Sequence, residues 1–272
     1  MKKKKLFVFR DNTCYLHHTL TIDPSTDDLT FKSHSHNMVE VYYFLRGNAR
    51  FVVEGNIFNL ERGNVLVMAS GQTHNLLLEP SVVYERMALL IDTSAVPPEY
   101  EILSEKIYEG ANLFTLDKRE QLWFEESFAT ITKSPDEIQK HLIISFASMI
   151  FATLGNKLGH ITLPRVENDM TKKTINFINN NLSNELSLEI IANALYCSRV
   201  TLNRKFREIM GCTVWEYVVR RRIYAARQQL FLGDTITDVY QKSGFNDYSS
   251  FFRAYKKVVG ISPSEDIKKS QR

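Results

Sequence analysis

The chain has 272 residues, with 34 Lys and Arg against 31 Asp and Glu, a formal charge of +3, and three cysteines. That length accommodates one or two domains with a full core in each. Cys14, Cys197 and Cys212 are too few and too far apart for a disulfide framework or a cysteine metal cluster, and no stretch is expected to reach the ~18 apolar residues of a membrane span.

At the N-terminus, Lys2–Lys5 imitate the basic start of a signal peptide. The apolar run Leu6–Phe9 then ends at Arg10 and Asp11, too short for a signal core. The expectation is a bacterial cytoplasmic protein with no membrane partner. His17 and His18 are read as part of an N-terminal arm without a role. Short alternating segments follow at 29–33, 39–46, 50–54, 57–60, 65–68, 75–79 and 84–91. Gly47, Gly55-Asn56, Arg62-Gly63-Asn64 and Gly71 separate them, and such close, even spacing predicts a β-sandwich or barrel.

Within these segments stands His34-x-His36-x3-Glu40-x6-Gly47, followed by Gly63-x5-Ala69-x-Gly71-x2-His74. The pair resembles the two cupin motifs, and a cupin is a small jelly-roll barrel. Ala69 and Leu78 stand where that pattern usually has Pro and Asn, and Asp28 where it has Gly. His34, His36 and Glu40 share parity, so in extended chain they point to one side, expected to be the interior, with His74 joining from a later strand. Three His and a carboxylate could hold a divalent metal (Fe, Mn, Zn or Ni). The same groups could instead hydrogen-bond a small ligand or one another. Tyr42 shares the parity of Glu40 and could stack on a sugar ring or fill the core. Arg86, in a strand, could bind a ligand or face solvent, and solvent is the expectation.

Residues 118–133 and 136–158 read as helices. In the second, Ile138, Leu142, Ile143, Phe146, Met149, Ile150 and Leu154 spread over a wide arc, so one face could cover the barrel while another pairs with a second copy. A homodimer is therefore expected. Pro164 and mixed polarity mark an interdomain linker, giving domains at 1–160 and 171–272 with the linker at 161–170.

The C-terminal part repeats itself at an offset of 49 residues. Ser198-x3-Leu202-x-Arg204-x-Phe206-Arg207 with Gly211 matches Asp247-x3-Phe251-x-Arg253-x-Tyr255-Lys256 with Gly260. Ser198 and Asp247 predict helix N-caps. Leu202, Phe206 and Ile209, like Phe251, Tyr255 and Val258, form an apolar stripe at i, i+4 and i+7. The opposite face carries Arg199, Val200, Thr201, Asn203, Arg204 and Arg207 in one copy, and Tyr248, Ser249, Ser250, Phe252, Arg253 and Lys256 in the other. Such side chains can bond base edges or meet a thymine methyl in a major groove. Each copy follows a short helix and a tight turn, the second at Gly244-Phe245, which makes two helix-turn-helix units. Residues 214–231 predict one connecting helix of ~27 Å, buried through Val219, Ile223, Ala226 and Leu230. Arg220, Arg221 and Arg222 are left to reach phosphates. Residues 171–272 hold 17 basic and nine acidic side chains, net +8, so the rest of the chain is net −5. A basic module joined to an acidic one fits double-stranded DNA at one end and a different task at the other.

Ala225-Ala226-Arg227-Gln228-Gln229-Leu230, the run Ser243–Arg253 and Gly260-Ile261-Ser262-Pro263-Ser264 resemble the AraC/XylS-type bacterial transcription regulators, over about residues 171–268. Phe252 departs from the small polar residue more usual there. Glu265-Asp266 replaces an aromatic-basic pair, a change read as a surface difference. The expected fold is a two-domain α+β chain. A cupin-like barrel with following helices precedes an all-α domain of two helix-turn-helix units. The resemblance implies a non-enzymatic regulator that answers to a small metabolite, a sugar by family analogy, and that meets RNA polymerase if it is an activator. A metal-dependent cupin enzyme with a DNA-binding tail and a regulator without a small effector are the alternatives.

Overall fold

The computed structural model describes residues 2–22, 33–78, 83–158 and 169–270. Two compact units emerge, Met1–Lys32 with Asn37–Arg165 and Ser33–His36 with Val166–Arg272. Residues 29–32 of the first expected strand and 161–168 of the expected linker lie outside the described residues.

The first unit contains β1 (Lys2–Arg10), β2 (Cys14–Ile22), β3 (Met38–Arg46), β4 (Ala49–Val53), β5 (Asn56–Leu60), β6 (Asn64–Met68), β7 (His74–Leu78), β8 (Tyr84–Asp92) and β9 (Leu113–Thr115). Its helices are α1 (Glu101–Tyr108), α2 (Lys118–Lys133) and α3 (Asp136–Gly155). One sheet runs β1-β2-β8-β3-β6-β9 and a second runs β5-β4-β7, with antiparallel pairing throughout. The larger sheet is covered on both sides. Val39, Val41 and Tyr43 of β3 and Leu89 and Ile91 of β8 pack on Phe124, Phe128, Ile143, Phe146 and Ile150 of the helices. Tyr42, Phe44, Tyr84 and Ala88 face the other way, against Phe51, Val53, Phe58 and Leu76 of the small sheet. A strand buried on both faces needs a continuous apolar run rather than clean alternation, and Val39–Leu45 supplies it around the single charge of Glu40.

Three features depart from the sequence reading. The segment 2–22, read as an arm, is a β-hairpin whose strand β2 pairs with β8 along its length. The four lysines hide a strand because its outward edge tolerates charge. Secondly, α3 is long and apolar enough, by length and composition, to cross a membrane, contrary to expectation. Its stripe Ile143, Phe146, Ala147, Ile150, Phe151 and Leu154 is instead buried in the core beneath the sheet. Thirdly, α1 and β9 had no periodic signal and were not anticipated.

The β1–β2 turn is tied to the helical layer through Asp11. Its carboxylate accepts the N–H groups of Thr13 (2.8 Å) and Cys14 (2.7 Å) and the ammonium of Lys140 on α3 (2.7 Å). Burial pushes this carboxyl up, but Lys140 and the two amides outweigh it and hold it well below the usual carboxylate range. A depressed carboxyl stabilises the fold above its unfolded value near 4, and that contribution is lost as pH falls through the folded value.

The second unit contains α4 (Asp169–Asn180), α5 (Leu188–Ala194), α6 (Arg199–Met210), α7 (Val214–Phe231), α8 (Ile236–Lys242), α9 (Tyr248–Val259) and α10 (Pro263–Ser270). Helices α6 and α9 are 12 residues each and stand 49 apart, as the repeat requires. Ser198 and Asp247 accept the N–H of Thr201 and Ser250, and Gly211 (φ 67°) and Gly260 (φ 90°) close the C-termini in the left-handed conformation. Connecting helix α7 spans the expected 18 residues behind a Thr213–Glu216 capping box. In α6 the stripe closes on Met210, fully buried, while Ile209 is half-buried.

Asp266, expected on the surface, is 4% exposed. It receives a two-pronged bond from Arg227 of α7, at 2.5 and 2.9 Å, and the Tyr255 hydroxyl of α9 at 2.7 Å. The deviation from the family pattern is therefore a structural clasp.

Two stability predictions follow from these ties. In Asp11→Asn the urea midpoint at neutral pH drops and its decline below about pH 4 becomes shallower than in the wild type. In Asp266→Ala the uncompensated Arg227 costs about 3–5 kcal/mol in denaturant unfolding of the full chain.

Candidate nucleic-acid interface and ligand site

On α6, Val200 (78% exposed), Arg199, Arg204 and Arg207 reach solvent. With Leu188, Asn203 and Glu208 they line an open concavity of about 670 Å³. On α9 the matching outward positions are Tyr248, Ser249, Arg253 and Lys256, all exposed, while Phe252 is half-buried beside the Tyr248 ring (centroids 6.1 Å apart). The exposed cations leave a field suited to a polyanion.

Several expected DNA contacts already have structural partners. Asn203 Oδ1 accepts the N–H of Val214 at 3.1 Å, so it satisfies the first turn of α7 and its acceptor is occupied. The Thr201 hydroxyl shares a bond with Ser198 (2.9 Å), and Ser250 donates to Asp247 (2.8 Å), so both serve the caps. Arg204 donates to Glu208 one turn later (2.6 Å) and Arg253 to the Ser250 hydroxyl (3.3 Å). The Arg204 pair is exposed and worth about 0.3–0.5 kcal/mol, less than the ~1–3 kcal/mol of a bidentate guanine contact. Arg204 can therefore exchange it for DNA.

Among the three arginines of α7, Arg222 is the main correction. Arg222 is 4% exposed; it donates to the carbonyls of Leu182 (2.9 Å) and Asn184 (2.8 Å) and lies over the rings of Trp215 and Phe245 (both 5.8 Å). Arg221 is half-buried and donates to Asn179 of α4 (3.1 Å). Arg220 donates to the carbonyl of Ser33 (3.3 Å) within the same unit. Arg222 is thereby committed to the fold, while Arg220 and Arg221 stay half-buried beside Ser33 and Asn179. Gly244, at φ +74°, completes the site: a Cβ there would stand 2.6 Å from the Leu182 carbonyl and 2.7 Å from the Arg222 guanidinium.

The first unit presents a second constellation on the inner face of its large sheet. The β2–β8 register sets His17 opposite Ala88, Thr19 opposite Arg86 and Thr21 opposite Tyr84. The β3–β8 register sets Glu40 opposite Leu90, Tyr42 opposite Ala88 and Phe44 opposite Arg86. Paired residues share a face, so these polar side chains stand together between the sheets. Glu40 Oε2 lies 3.4 Å from His74 Nε2, and His74 Nδ1 donates to the Gln72 carbonyl at 2.9 Å, which fixes the tautomer. Arg86 is half-buried rather than fully solvated: it donates to the Tyr84 hydroxyl (3.2 Å) and lies over the rings of Tyr42 (5.6 Å) and Tyr84 (5.4 Å). Burial pushes the Tyr84 phenol up to about 12 although Arg86 opposes it, so the hydroxyl stays neutral. Among the described residues, the hydroxyls of Tyr42 and Thr21 and the Nε of Arg86 are buried without a hydrogen-bond partner.

Of the four residues named for a metal, Glu40 and His74 meet in this unit. His34 and His36 group with the second unit, their rings 5.9 Å apart. Thr19 and Thr21 were missed, and His17 left without a role, because β2 was not recognised; Arg86 lies on an expected strand but was read as facing solvent. The alternation of Tyr15, His17, Thr19 and Thr21 with Cys14, Leu16, His18 and Leu20 was the available signal.

If Asn203 positions α7 rather than reading a base, Asn203→Ala lowers unfolding stability by about 1 kcal/mol and leaves the ranking of operator variants unchanged in competition gel shifts. A changed ranking would return Asn203 to the reading surface. Gly244→Ala, forced against backbone and guanidinium, is expected to lower the melting temperature and DNA affinity together.

Comparison with known proteins agrees with both halves. Residues 18–141 match the AraC-like ligand binding domain family, and residues 191–269 match a Helix-turn-helix domain family. The chain is 38% identical over 89 residues to the HTH-type transcriptional activator AarP of Providencia stuartii, covering 32% of this chain and 66% of AarP. It is 29% identical over 127 residues to the lactose operon transcription activator of Staphylococcus xylosus, 46% of each chain, so the match spans about half of that relative. It is 21% identical over 246 residues to the HTH-type transcriptional activator RhaR of Salmonella dublin, 86% of each chain. The chain is a member of the AraC family of DNA-binding transcription regulators, with an AraC-like ligand-binding domain ahead of its paired helix-turn-helix units.

Proposed function

We propose that this regulator is an activator whose affinity for its operator is set by a small metabolite on the inner face of the two-sheet domain. The observation that carries the DNA half is the pair of identically capped 12-residue helices, 49 residues apart on either side of α7. At ~27 Å, α7 is shorter than the ~34 Å of one DNA turn. Successive major grooves on one face of the duplex are then reached most readily if the DNA bends. The basic charge of this half makes binding steeply salt dependent.

For the sensor half, the buried polar face around Tyr42 and Arg86 supports a polar ligand, and a sugar is the first candidate. A relative that activates a lactose operon gives that choice its support. The effector acts by binding two conformations of the regulator unequally, which shifts their populations and hence operator affinity. The exposed Leu122, Ile138 and Met149 of α2 and α3 suit a homodimer, and an activator of this kind would meet RNA polymerase at the promoter. The role is non-enzymatic and the setting is the bacterial cytoplasm.

Arg204→Ala and Arg253→Ala should each weaken specific operator binding by about 1–3 kcal/mol and relax base preference at one position. Lys256→Ala should weaken all sequences alike and reduce the salt slope. Footprinting on the DNA flanking its own gene, with and without candidate sugars, supplies the operator for these titrations. Unchanged affinity and selectivity in both arginine variants would refute the reading faces. A cyclic-permutation gel assay should show bent DNA in the complex, and straight DNA would remove the bend.

A further inference from the structure

The inner face of the first unit holds a cation, Arg86, that no carboxylate among the described residues neutralises. Among the described residues Arg86 has no carboxylate partner: its one hydrogen bond goes to the Tyr84 hydroxyl, a neutral phenol. The carboxylate on the same face, Glu40, stands against His74 instead. Its neighbour Glu85 points to the opposite face, where it receives Arg46 (2.6 Å) and meets His18 (2.8 Å). Among the described residues, Arg86 Nε and the Tyr42 hydroxyl are both buried donors without an acceptor, and Tyr42 is only 2% exposed. Leaving a cation and a hydroxyl unpaired between two sheets is costly, and an arriving acceptor removes that cost.

The Tyr42 and Tyr84 rings flank the guanidinium, their centroids 5.6 and 5.4 Å from its carbon, and hold the planar fork in place before any ligand arrives. Thr19 stands opposite Arg86 in the β2–β8 register, and Phe44 stands opposite it from β3. Arg86 itself is half-buried, so the fork sits where this face opens outward. A fixed guanidinium with an adjoining hydroxyl donor matches the oxygens of a carboxylate or a phosphate, each of which accepts two parallel N–H bonds.

We infer that the effector carries an anionic oxygen group, a carboxylate or a phosphate, which docks on Arg86 with the Tyr42 hydroxyl as second donor. The inference rests on the sensor reading above and narrows its ligand from a neutral sugar to an acidic small molecule.

The test is a thermal-shift and calorimetric series on the full chain. The carboxylate arm uses galacturonate and gluconate, the phosphate arm uses glucose 6-phosphate and inorganic phosphate, and the neutral arm uses galactose and glucose. The expected result is a rise in melting temperature of a few degrees from at least one anionic probe, because a ligand that binds only the folded chain stabilises it, with no rise from its neutral counterpart. Which arm responds distinguishes the carboxylate from the phosphate. Arg86→Gln should lose that response and weaken binding by tenfold or more. Tyr42→Phe, which keeps the ring, should weaken it by a smaller factor. A response in Tyr42→Phe also serves if Arg86→Gln fails to fold. Stabilisation by neutral sugars alone, equal in the wild type and Arg86→Gln, would overturn the anionic inference and leave the sensor reading intact. Silence from all six probes at millimolar concentration would overturn both.

Discussion

Two arginines five positions apart on α7, Arg222 and Arg227, turn inward rather than toward solvent, and the helical unit is organised around them. Arg222 donates to the carbonyls of Leu182 and Asn184 and lies beneath Trp215 and Phe245. Arg227 grips Asp266 of α10, which also takes the Tyr255 hydroxyl of α9. One helix thus fastens the segment before α5 from its middle and the second reading helix from its C-terminal part. A buried guanidinium tolerates little displacement, because any lost partner leaves a charge unpaired in the interior. The spacing of the two DNA-facing helices is therefore a property of α7 and not of the loops that surround it.

The two-sheet unit follows a different constraint, the two-residue period of its strands. Because β3 and β8 are covered on both faces, each step along them alternates between two environments. Val41, Tyr43, Leu89 and Ile91 go to the helices, while Tyr42, Arg86 and Glu40 go between the sheets. The helical side is almost wholly apolar and behaves as core. The inner side mixes aromatic rings with a cation, a carboxylate, imidazoles and hydroxyls. Native interiors keep such groups satisfied, so a set with unpartnered members sits where a ligand would complete it. The same sheet thereby separates what holds the domain together from what it can recognise.

Much of this could be read from the residues. The 49-residue repeat placed α6 and α9 correctly, with their caps, because a helix records its start, stripe and end in local chemistry: Ser198 and Asp247, Leu202 and Phe251, Gly211 and Gly260. The 18-residue length of α7 was legible for the same reason. Strands β3 to β8 showed themselves through alternation and Gly/Asn turns. The segment 2–22 did not, since Lys2–Lys5 and His17-His18 suppress the apolar signal on which strand recognition depends.

The sequence by itself thus determined the two-part organisation, the charge division and the paired reading helices, all features set by neighbours within a few positions. Only the tertiary structure decided which polar side chains are free to act. Arg222, Asn203 and Asp266 look like surface groups in the chain, yet each is engaged by a residue between 11 and 40 positions away. Arg86 looks solvated and stands instead between two tyrosine rings. Local periodicity tells which face a side chain takes, but what covers that face is supplied by distant segments, and burial and pairing are properties of the cover.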